Sequence, residues 1–298
     1  MKEKLPITPG MEGFAVTLSF PLHKLAPHRH DELEVNLILS GQAAYLLGTE
    51  RIPLVTGSMI WLFPAQEHVL VDYSHDFSMW VIVFKPALVE RHARHPSRRE
   101  LGSSDPGAIF CRQLESRSAD ALHAIYQSAS VGAEDIELCN LALAHALLVS
   151  WQAFRFSREA VARIDVHPAV AKAARLVAGE KEAVPMTELA RRAGLSAPRL
   201  SRLFKSQMGL SLTAFRQRQC LERFFRIYRT GARYTLIEAA LLAGFGSYPQ
   251  FHRVFRRLMG ESPAEYSRKL QRVGASPADS RNDGRPAKPR SPRRPLRD

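Results

Sequence analysis

Four side chains in the first quarter of the chain have the types and spacing of a metal site. His28 and His30 are two residues apart, so on a β-strand they point to the same face, and Glu34 follows closely enough to join them. His68 comes later, after a turn that contains a proline. Three imidazoles and one carboxylate suit a divalent transition metal. The same cluster could instead bind a small organic molecule or only fill a packing role, so three interpretations stay open.

A second group of residues belongs to a pattern that occurs twice in the last third of the chain. Each copy has a small residue, a glycine four residues later, and then two large apolar residues at helical spacing. This layout predicts a helix-turn-helix, in which the small residue lets two helices cross closely and the glycine adopts a positive φ. The pattern is carried by Ala190, Gly194, Leu200 and Phe204, and again by Ala240, Gly244, Phe251 and Phe255. We therefore expect two tandem DNA-reading units.

The second helix of such a unit lies in the major groove of DNA, where its early exposed residues face the base edges. Ser196 and Ser247 are suitable N-caps for these two helices. With the apolar positions turned inward, the predicted outward residues are Arg199, Ser201, Arg202 and Lys205 in the first unit, and Tyr248, Gln250, His252, Arg253 and Arg256 in the second.

The distribution of charge along the chain is consistent with a nucleic-acid partner. The net charge is −4 over residues 1–160, +12 over residues 161–270 and +5 over residues 271–298. Positive charge is thus concentrated at the repeated pattern and behind it, where neutralisation of phosphates would contribute to affinity. The last segment is rich in Pro, Arg and Ser and has scarcely an apolar residue, which predicts disorder.

The elements that must position these side chains differ between the two halves of the chain. Residues 14–85 contain short apolar runs separated by turn residues, which predicts a β-sandwich or a small barrel. Two Ala- and Leu-rich segments, roughly 107–130 and 134–156, read as helices, and the second has an apolar face wide enough for a partner helix. The predicted strands are Phe14–Phe20, Glu34–Leu39, Ala43–Leu47, Ser58–Phe63 and Trp80–Phe84.

A length of 298 residues accommodates two domains, each with its own core. The predicted divisions are a β-rich sensor domain at 1–156, a linker at 157–167, a helical DNA-binding domain at 168–270 and a disordered basic tail at 271–298. The fold class is therefore α+β, with an N-terminal β-barrel followed by dimerisation helices and a C-terminal all-α domain.

The cysteines and the apolar stretches indicate the compartment. Cys111, Cys139 and Cys220 are odd in number and lack paired spacing, which predicts neither a disulfide framework nor a zinc knuckle. The N-terminus has no apolar run typical of a secretory signal. The most apolar stretch, Leu138 to Trp151, is shorter than the roughly 20 residues that span a bilayer. We expect a cytoplasmic protein with no membrane partner.

The second copy of the pattern resembles the DNA-binding domain of the arabinose-regulator (AraC/XylS) family of transcription factors. The similarity lies in the segment from Ile237 to Tyr266, which contains the pair Gly244–Phe245 and, near its end, the pair Ser262–Pro263. The N-terminal part resembles the cupin-like sensor and dimerisation domain that many members carry, and together the two resemblances cover about residues 14–268. One departure is Phe224, a bulky residue at a usually small position, which predicts repacking between the two units.

The resemblance implies a sequence-specific regulator of transcription, typically an activator that works with RNA polymerase. It would bind double-stranded DNA, pair with a second copy through the helix at 134–156, and respond to a small-molecule effector in the barrel. Arg202 matches a family position that contacts bases, and Arg253 is its parallel 51 residues later; arginine pairs well with guanine. Lys205 and Arg256 are expected at phosphates.

The resemblance implies no catalytic residues and no cofactor beyond a divalent metal in the barrel. The effector or metal positions are His28, His30, Glu34 and His68. The alternative is a metal-dependent cupin enzyme fused to a DNA-binding domain, and it depends on the same four side chains. A DNA-repair sensor would need clustered cysteines, and a purely architectural DNA binder would leave the sensor-like domain without a role. We expect a regulator and not an enzyme.

Overall fold

A computed structural model of the chain describes residues 2–20, 26–130, 135–157, 159–179, 184–228 and 233–274. It has an N-terminal domain built on β-sheets and a C-terminal domain built of helices. The predicted α+β class is confirmed. The predicted basic tail lies outside the described residues from residue 275 onward.

The described part of the N-terminal domain contains ten strands in two antiparallel sheets. The strands are β1 (Gly13–Ser19), β2 (Leu33–Ser40), β3 (Gln42–Leu47), β4 (Glu50–Val55), β5 (Ser58–Leu62), β6 (His68–Tyr73), β7 (Ser78–Phe84), β8 (Phe110–Gln113), β9 (Glu159–Ala160) and β10 (Ile164–Asp165). One sheet has the order β1-β7-β2-β5-β8-β9 and the other β10-β4-β3-β6. The two sheets do not close into a barrel, so this domain is an open β-sandwich and not the predicted β-barrel.

Alternation along the strands produces the layers of this domain. On β3, Tyr45 and Leu47 join the core between the two sheets, whereas Ala44 and Leu46 lie on the opposite face. This period of two is what a strand that is buried on both faces requires. The outer face of the six-stranded sheet is covered by helices, and Trp61 and Trp151 meet there with ring centroids 5.6 Å apart.

Ten α-helices lie in the described residues. They are α1 (Pro86–Ala93), α2 (Ser116–Ser130), α3 (Ile136–Phe156), α4 (Pro168–Gly179), α5 (Met186–Ala193), α6 (Ala197–Met208), α7 (Leu212–Ile227), α8 (Leu236–Leu242), α9 (Tyr248–Met259) and α10 (Pro263–Gly274). The helix predicted from residue 107 begins only at Ser116, because Phe110–Gln113 pairs with β5 as a strand. The domain end predicted at residue 270 falls inside α10.

Helix α3 is the element that the sequence predicts as the dimerisation helix. Asp135 caps it by accepting a hydrogen bond from the Leu138 amide at 2.9 Å. Leu143, Ala146 and Leu147 are fully buried against the rest of the sensor domain. By length and composition alone α3 could cross a membrane, as could no other helix in the described residues. The inner face of α3 packs against α2 and β1 and forms part of the hydrophobic core of this domain.

The helical domain contains the two predicted helix-turn-helix units, formed by α5 with α6 and by α8 with α9 and joined by α7. Gly194 and Gly244 have φ of 76° and 95°, the left-handed conformation that their positions predict. The sequence predicted that Phe224 would alter the packing between the two units, but Phe224 does not lie between them. It lies in the core of the second unit, with its ring centroid 4.6 Å from that of Phe251.

Candidate DNA-binding and effector sites

Helix α6 presents the predicted basic face of the first unit. Leu200, Phe204 and Met208 are buried on one side. This apolar stripe fixes the rotation of the helix, so the side chains between these positions turn to solvent. Of the predicted contact residues, Arg199, Arg202 and Lys205 are exposed and Ser201 is half-buried.

Helix α9 repeats this arrangement in the second unit. Its buried stripe is Phe251, Val254 and Phe255, and Ser247 caps its N-terminus by accepting from the Gln250 amide at 3.4 Å. The predicted contact residues divide into Arg253 and Arg256, which are exposed, and Tyr248, Gln250 and His252, which are half-buried.

Two of these half-buried side chains have contacts inside the protein. The side-chain oxygen Oε1 of Gln250 accepts a hydrogen bond from the Gly246 amide at 2.9 Å, so this side chain helps to hold the turn before α9. The Tyr248 ring packs against Phe251 with centroids 5.7 Å apart. Arg202 with Arg253, and Lys205 with Arg256, are pairs of long, charged and exposed side chains at equivalent places in the two units. Their contact with DNA stays a prediction.

The structure brings together the four residues of the predicted metal or effector site at one end of the sandwich. His30 precedes β2 and Glu34 lies on it, whereas His68 begins β6 in the other sheet. His28 and His68 face each other through a pair of backbone hydrogen bonds of 3.2 and 3.0 Å. The side chains of His28, His30 and His68 place their ligand atoms within 4.8 Å of one another.

Burial and charge set the protonation of this cluster. Burial lowers the pKa of His68 to about 4, although the charge of Glu34 opposes this. Burial would raise the pKa of Glu34, but the hydrogen bond from His30 and the charges of His68 and His30 outweigh it and bring that pKa to about 2. For His30, the lowering effect of burial is outweighed by the Glu34 hydrogen bond and charge, which raise the pKa. The cluster therefore combines an ionised carboxylate with a neutral imidazole.

The sensor domain also packs directly against the first DNA-binding unit, a contact that the sequence did not predict. Ala44 and Leu46 of β3, with Val69 and Val71 of β6, share one buried apolar cluster with α4 and with the buried faces of α5 and α6. The four-stranded sheet is thus covered on its outer face by the DNA-binding domain. Apolar burial of this kind favours a fixed arrangement of two domains over a flexible one.

Polar contacts flank this apolar interface and reach helix α7. Arg218 of α7 forms an ion pair with Asp72 of β6, and the Tyr73 hydroxyl donates a hydrogen bond to the carboxyl group of Glu222. Burial raises the pKa of Glu222 to about 8, against the lowering effects of the Tyr73 hydrogen bond and of neighbouring arginines. Arg175 of α4 adds an ion pair to Glu67 at 3.2 Å.

A cavity of about 170 Å³ opens beside these contacts, where the two domains meet. Phe20, Tyr73 and Glu222 line it, together with Phe225 and the guanidinium-bearing side chain of Arg257. Arg257 also donates to the side-chain carbonyl of Gln217 at 2.6 Å, which ties α9 to α7. This cavity could not be predicted from sequence, because its walls come from segments that are far apart along the chain.

Two sequence profiles match the chain, one in each domain. The profile described as "AraC-like ligand binding domain" matches residues 11–147, and the profile described as "Helix-turn-helix domain" matches residues 189–269. No curated protein matches the sequence.

Several solved structures are similar to the chain at low sequence identity. A ligand-free variant of ToxT from Vibrio cholerae is 13% identical, with 87% of this chain and 98% of that chain covered and a TM-score of 0.38. ToxT bound to (E)-4-(8-methylnaphthalen-1-yl)but-3-enoic acid is 15% identical, with the same coverage and a TM-score of 0.37. The AraC-like transcriptional activator CuxR is 16% identical over 77% of both chains, with a TM-score of 0.32. These similarities are too distant to carry an argument about ligand or mechanism.

Proposed function

The chain belongs to the AraC family of ligand-responsive transcription regulators, and we propose that its two helix-turn-helix units read two adjacent segments of one DNA site. The observation that carries this proposal is the pair of equivalent basic faces on α6 and α9. Both are exposed and both belong to one domain, joined by the single helix α7. Two recognition helices placed in this way would enter successive major grooves about 34 Å apart on one face of the DNA.

Base recognition falls to Arg202 and Arg253 in this proposal. Each is exposed, and each is two residues after a buried core residue of its helix, Leu200 or Phe251. A guanidinium group pairs with both O6 and N7 of guanine, which gives these positions the means to specify sequence. Arg199, Lys205 and Arg256 would bind phosphates and fix the register of the protein on DNA. Ser201, Tyr248, Gln250 and His252 would make the remaining, shorter-range contacts.

The protein would act as a homodimer through the outer face of α3. Leu138 and Leu141 on this face are 64% and 63% exposed, a large apolar area to leave in water. With His145, Leu148 and Gln152 they follow the three-and-four spacing of a coiled-coil seam, in which occasional polar positions set the register. A dimer would bring two DNA-binding domains to a pair of direct or inverted sites.

The regulator would act in the cytoplasm as an activator that contacts RNA polymerase, as its family resemblance implies. It would respond to an effector held by the sensor domain, because that domain packs against both α4 and α7 and can thereby alter the DNA-binding domain. We assign no reaction to the protein. The enzyme alternative depends on His28, His30, Glu34 and His68 alone.

Genome-wide binding of the tagged protein, followed by gel shift on the recovered sequences at stated salt concentration, tests this function. A discrete site near genes of one pathway, bound far more tightly than random DNA, is the expected result. Binding without any shared sequence would overturn the proposal, because specific recognition exceeds non-specific binding by about 10³-fold or more.

A further inference from the structure

We propose that the groove between α3 and the 3₁₀ helix Pro96–Gly102 binds a small organic anion, a molecule with one carboxylate group on an apolar body. The groove lies in the helical layer over the outer face of the six-stranded sheet. It shares no lining residue with the cavity between the domains, and it contains no member of the four-residue cluster at the end of the sandwich. The proposal goes beyond the proposed function, because it does not depend on DNA binding.

The two walls of the groove are fixed to each other. The backbone oxygen of Ser97 accepts two hydrogen bonds from α3, one from Nε1 of Trp151 at 2.8 Å and one from Nη1 of Arg155 at 2.9 Å. At the other end of the 3₁₀ helix, Leu101 is buried in the core beneath α3. The groove is therefore formed by the fold itself, as the sites of small molecules usually are.

The size and the apolar wall of the groove suit an organic molecule. Its volume is about 520 Å³, and small-molecule sites have volumes of roughly 300–1,000 Å³. Leu148 and Trp151 of α3 supply apolar surface. Phe156 also lines the groove, and this ring is 75% exposed. An apolar body in the groove would remove part of this surface from water, which is favourable.

The polar wall of the groove is positively charged. Arg98 and Arg155 line it, and neither forms an ion pair with a carboxylate among the residues that the structure describes. None of the described residues that line the groove carries a carboxylate. The Nε atom of Arg98 is shielded from solvent and has no hydrogen-bond partner in the described part of the chain. Because buried donors are nearly always paired, this atom indicates an acceptor supplied from outside the chain.

The two walls together select the class of ligand. A guanidinium group offers its donors in a fork that matches the two oxygens of a carboxylate. An inorganic anion would pair with Arg98 and Arg155 but leave Phe156 in water. A neutral apolar molecule would cover Phe156 but leave Nε of Arg98 unpaired. One carboxylate on an apolar body satisfies both walls, and the Gln152 amide at the groove can hydrogen-bond to a further polar group.

The α3 helix of a second copy is the competing occupant, because the proposed dimer seam shares Leu148 and Gln152 with the groove. The exposed leucines of that seam, Leu138 and Leu141, lie outside the groove. A helix seam packs apolar residues of α3 and makes no use of Arg98, which lies on the 3₁₀ helix. The positive charge therefore favours the small anion.

Isothermal titration calorimetry of untagged full-length protein tests the site, with biphenyl-4-carboxylate as the probe and biphenyl-4-carboxamide as its uncharged match. We expect one carboxylate per chain, bound at least tenfold more tightly than the amide. Arg98→Gln and Arg155→Gln should each weaken binding of the carboxylate at least tenfold. Arg94→Gln, at an exposed arginine of the same domain outside the groove, should leave the affinity unchanged. Absence of saturable binding, equal affinity for the amide, or unchanged affinity in both groove variants would overturn the proposal.

Fluorine NMR of protein labelled with 5-fluorotryptophan locates the probe. Saturating carboxylate should shift the resonance of Trp151, assigned with Trp151→Phe, and leave that of Trp80 in place. A shift of Trp80 alone would place the probe elsewhere and overturn the site. Leu141→Glu should bind the probe as tightly as the wild type, whereas binding by this variant alone would assign the groove to a second copy. No DNA is present in these experiments, so their failure would leave the proposed function standing.

Discussion

Arg202 and Arg253 are exposed on the two recognition helices, each two residues after a buried core residue of its helix. The pattern of buried residues on each recognition helix was predictable from helical spacing, and the structure buries Leu200, Phe204 and Phe251 as expected. The exposure of both arginines follows from the same spacing. The partial burial of Tyr248 and the internal hydrogen bond of Gln250 do not follow from helical spacing, because both depend on the local turn before α9.

Replacement of either arginine by alanine should weaken binding to the specific DNA site by about 1–3 kcal/mol, because a bidentate contact to guanine is lost. Binding to random DNA should change much less. Gel shifts of Arg202→Ala and Arg253→Ala on both kinds of DNA measure the difference. Lys205→Ala is the control, since loss of a phosphate contact should weaken both kinds of binding alike. Equal losses on specific and random DNA for the two arginine variants would show that they too contact phosphates.

At the scale of elements, strands with uninterrupted apolar runs were predictable and strands with interruptions were not. β4 contains Pro53 and β6 begins with His68, and neither reads as a strand in isolation. Both are held by pairing with β3, whose apolar residues face both sides of the sheet. The segment between α3 and α4 reads as a linker in the sequence, yet it contributes β9, which pairs with β8, and β10, which pairs with β4.

Helix α7 is an element whose role depends on a long-range contact. Glu222 reads as an ordinary helical glutamate in sequence, yet it is 4% exposed and accepts a hydrogen bond from Tyr73, 149 residues away. No periodicity along α7 predicts a partner in a different domain. The positive neighbours Arg218, Arg223 and Arg226 lower the pKa of Glu222, but burial has the larger effect.

This buried carboxyl group should make stability depend on pH. Its pKa of about 8 lies above the usual 4.5, so the folded protein holds the proton more tightly than the unfolded chain. The free energy of unfolding should therefore fall as the pH rises from about 5 to about 9, by at most about 1.4 kcal/mol per pH unit from this group. Glu222→Gln should remove that part of the slope.

Urea unfolding of the wild type and Glu222→Gln at pH 6, 7, 8 and 9 measures this effect. Glu90→Gln, at an exposed glutamate of α1, is the matched control and should keep the wild-type slope. Parallel pH profiles for the wild type and Glu222→Gln would contradict a buried, protonated carboxyl group at this interface.

At the scale of the whole molecule, the division into a sensor half and a DNA-binding half was predictable, and the packing between the halves was not. The net charge changes from −4 over residues 1–160 to +12 over residues 161–270, and the repeated pattern lies within the second of these segments. The contact between β6 and α4, in contrast, joins surfaces whose apolar residues each look like ordinary core positions. Sequence spacing predicts which face of an element is apolar, but it does not specify which element covers that face.

The proposed homodimer leads to a prediction about the assembled molecule. Leu141→Glu places a charge in the centre of the exposed apolar face of α3, so it should convert a dimer to a monomer. Light scattering after size-exclusion chromatography measures the mass. Leu242→Glu, at an exposed leucine of α8, is the control and should leave the mass unchanged. A wild-type protein that is already monomeric at the same concentration would contradict dimerisation through α3.

Hydroxyl-radical footprinting on the recovered DNA site is the most direct test of two-unit recognition by one chain. We predict two protected segments about one helical turn apart on one face of the DNA for each DNA-binding domain, with Arg202→Ala weakening one segment and Arg253→Ala the other. A single protected segment, or equal weakening of both segments by each variant, would contradict the reading of DNA by two separate units.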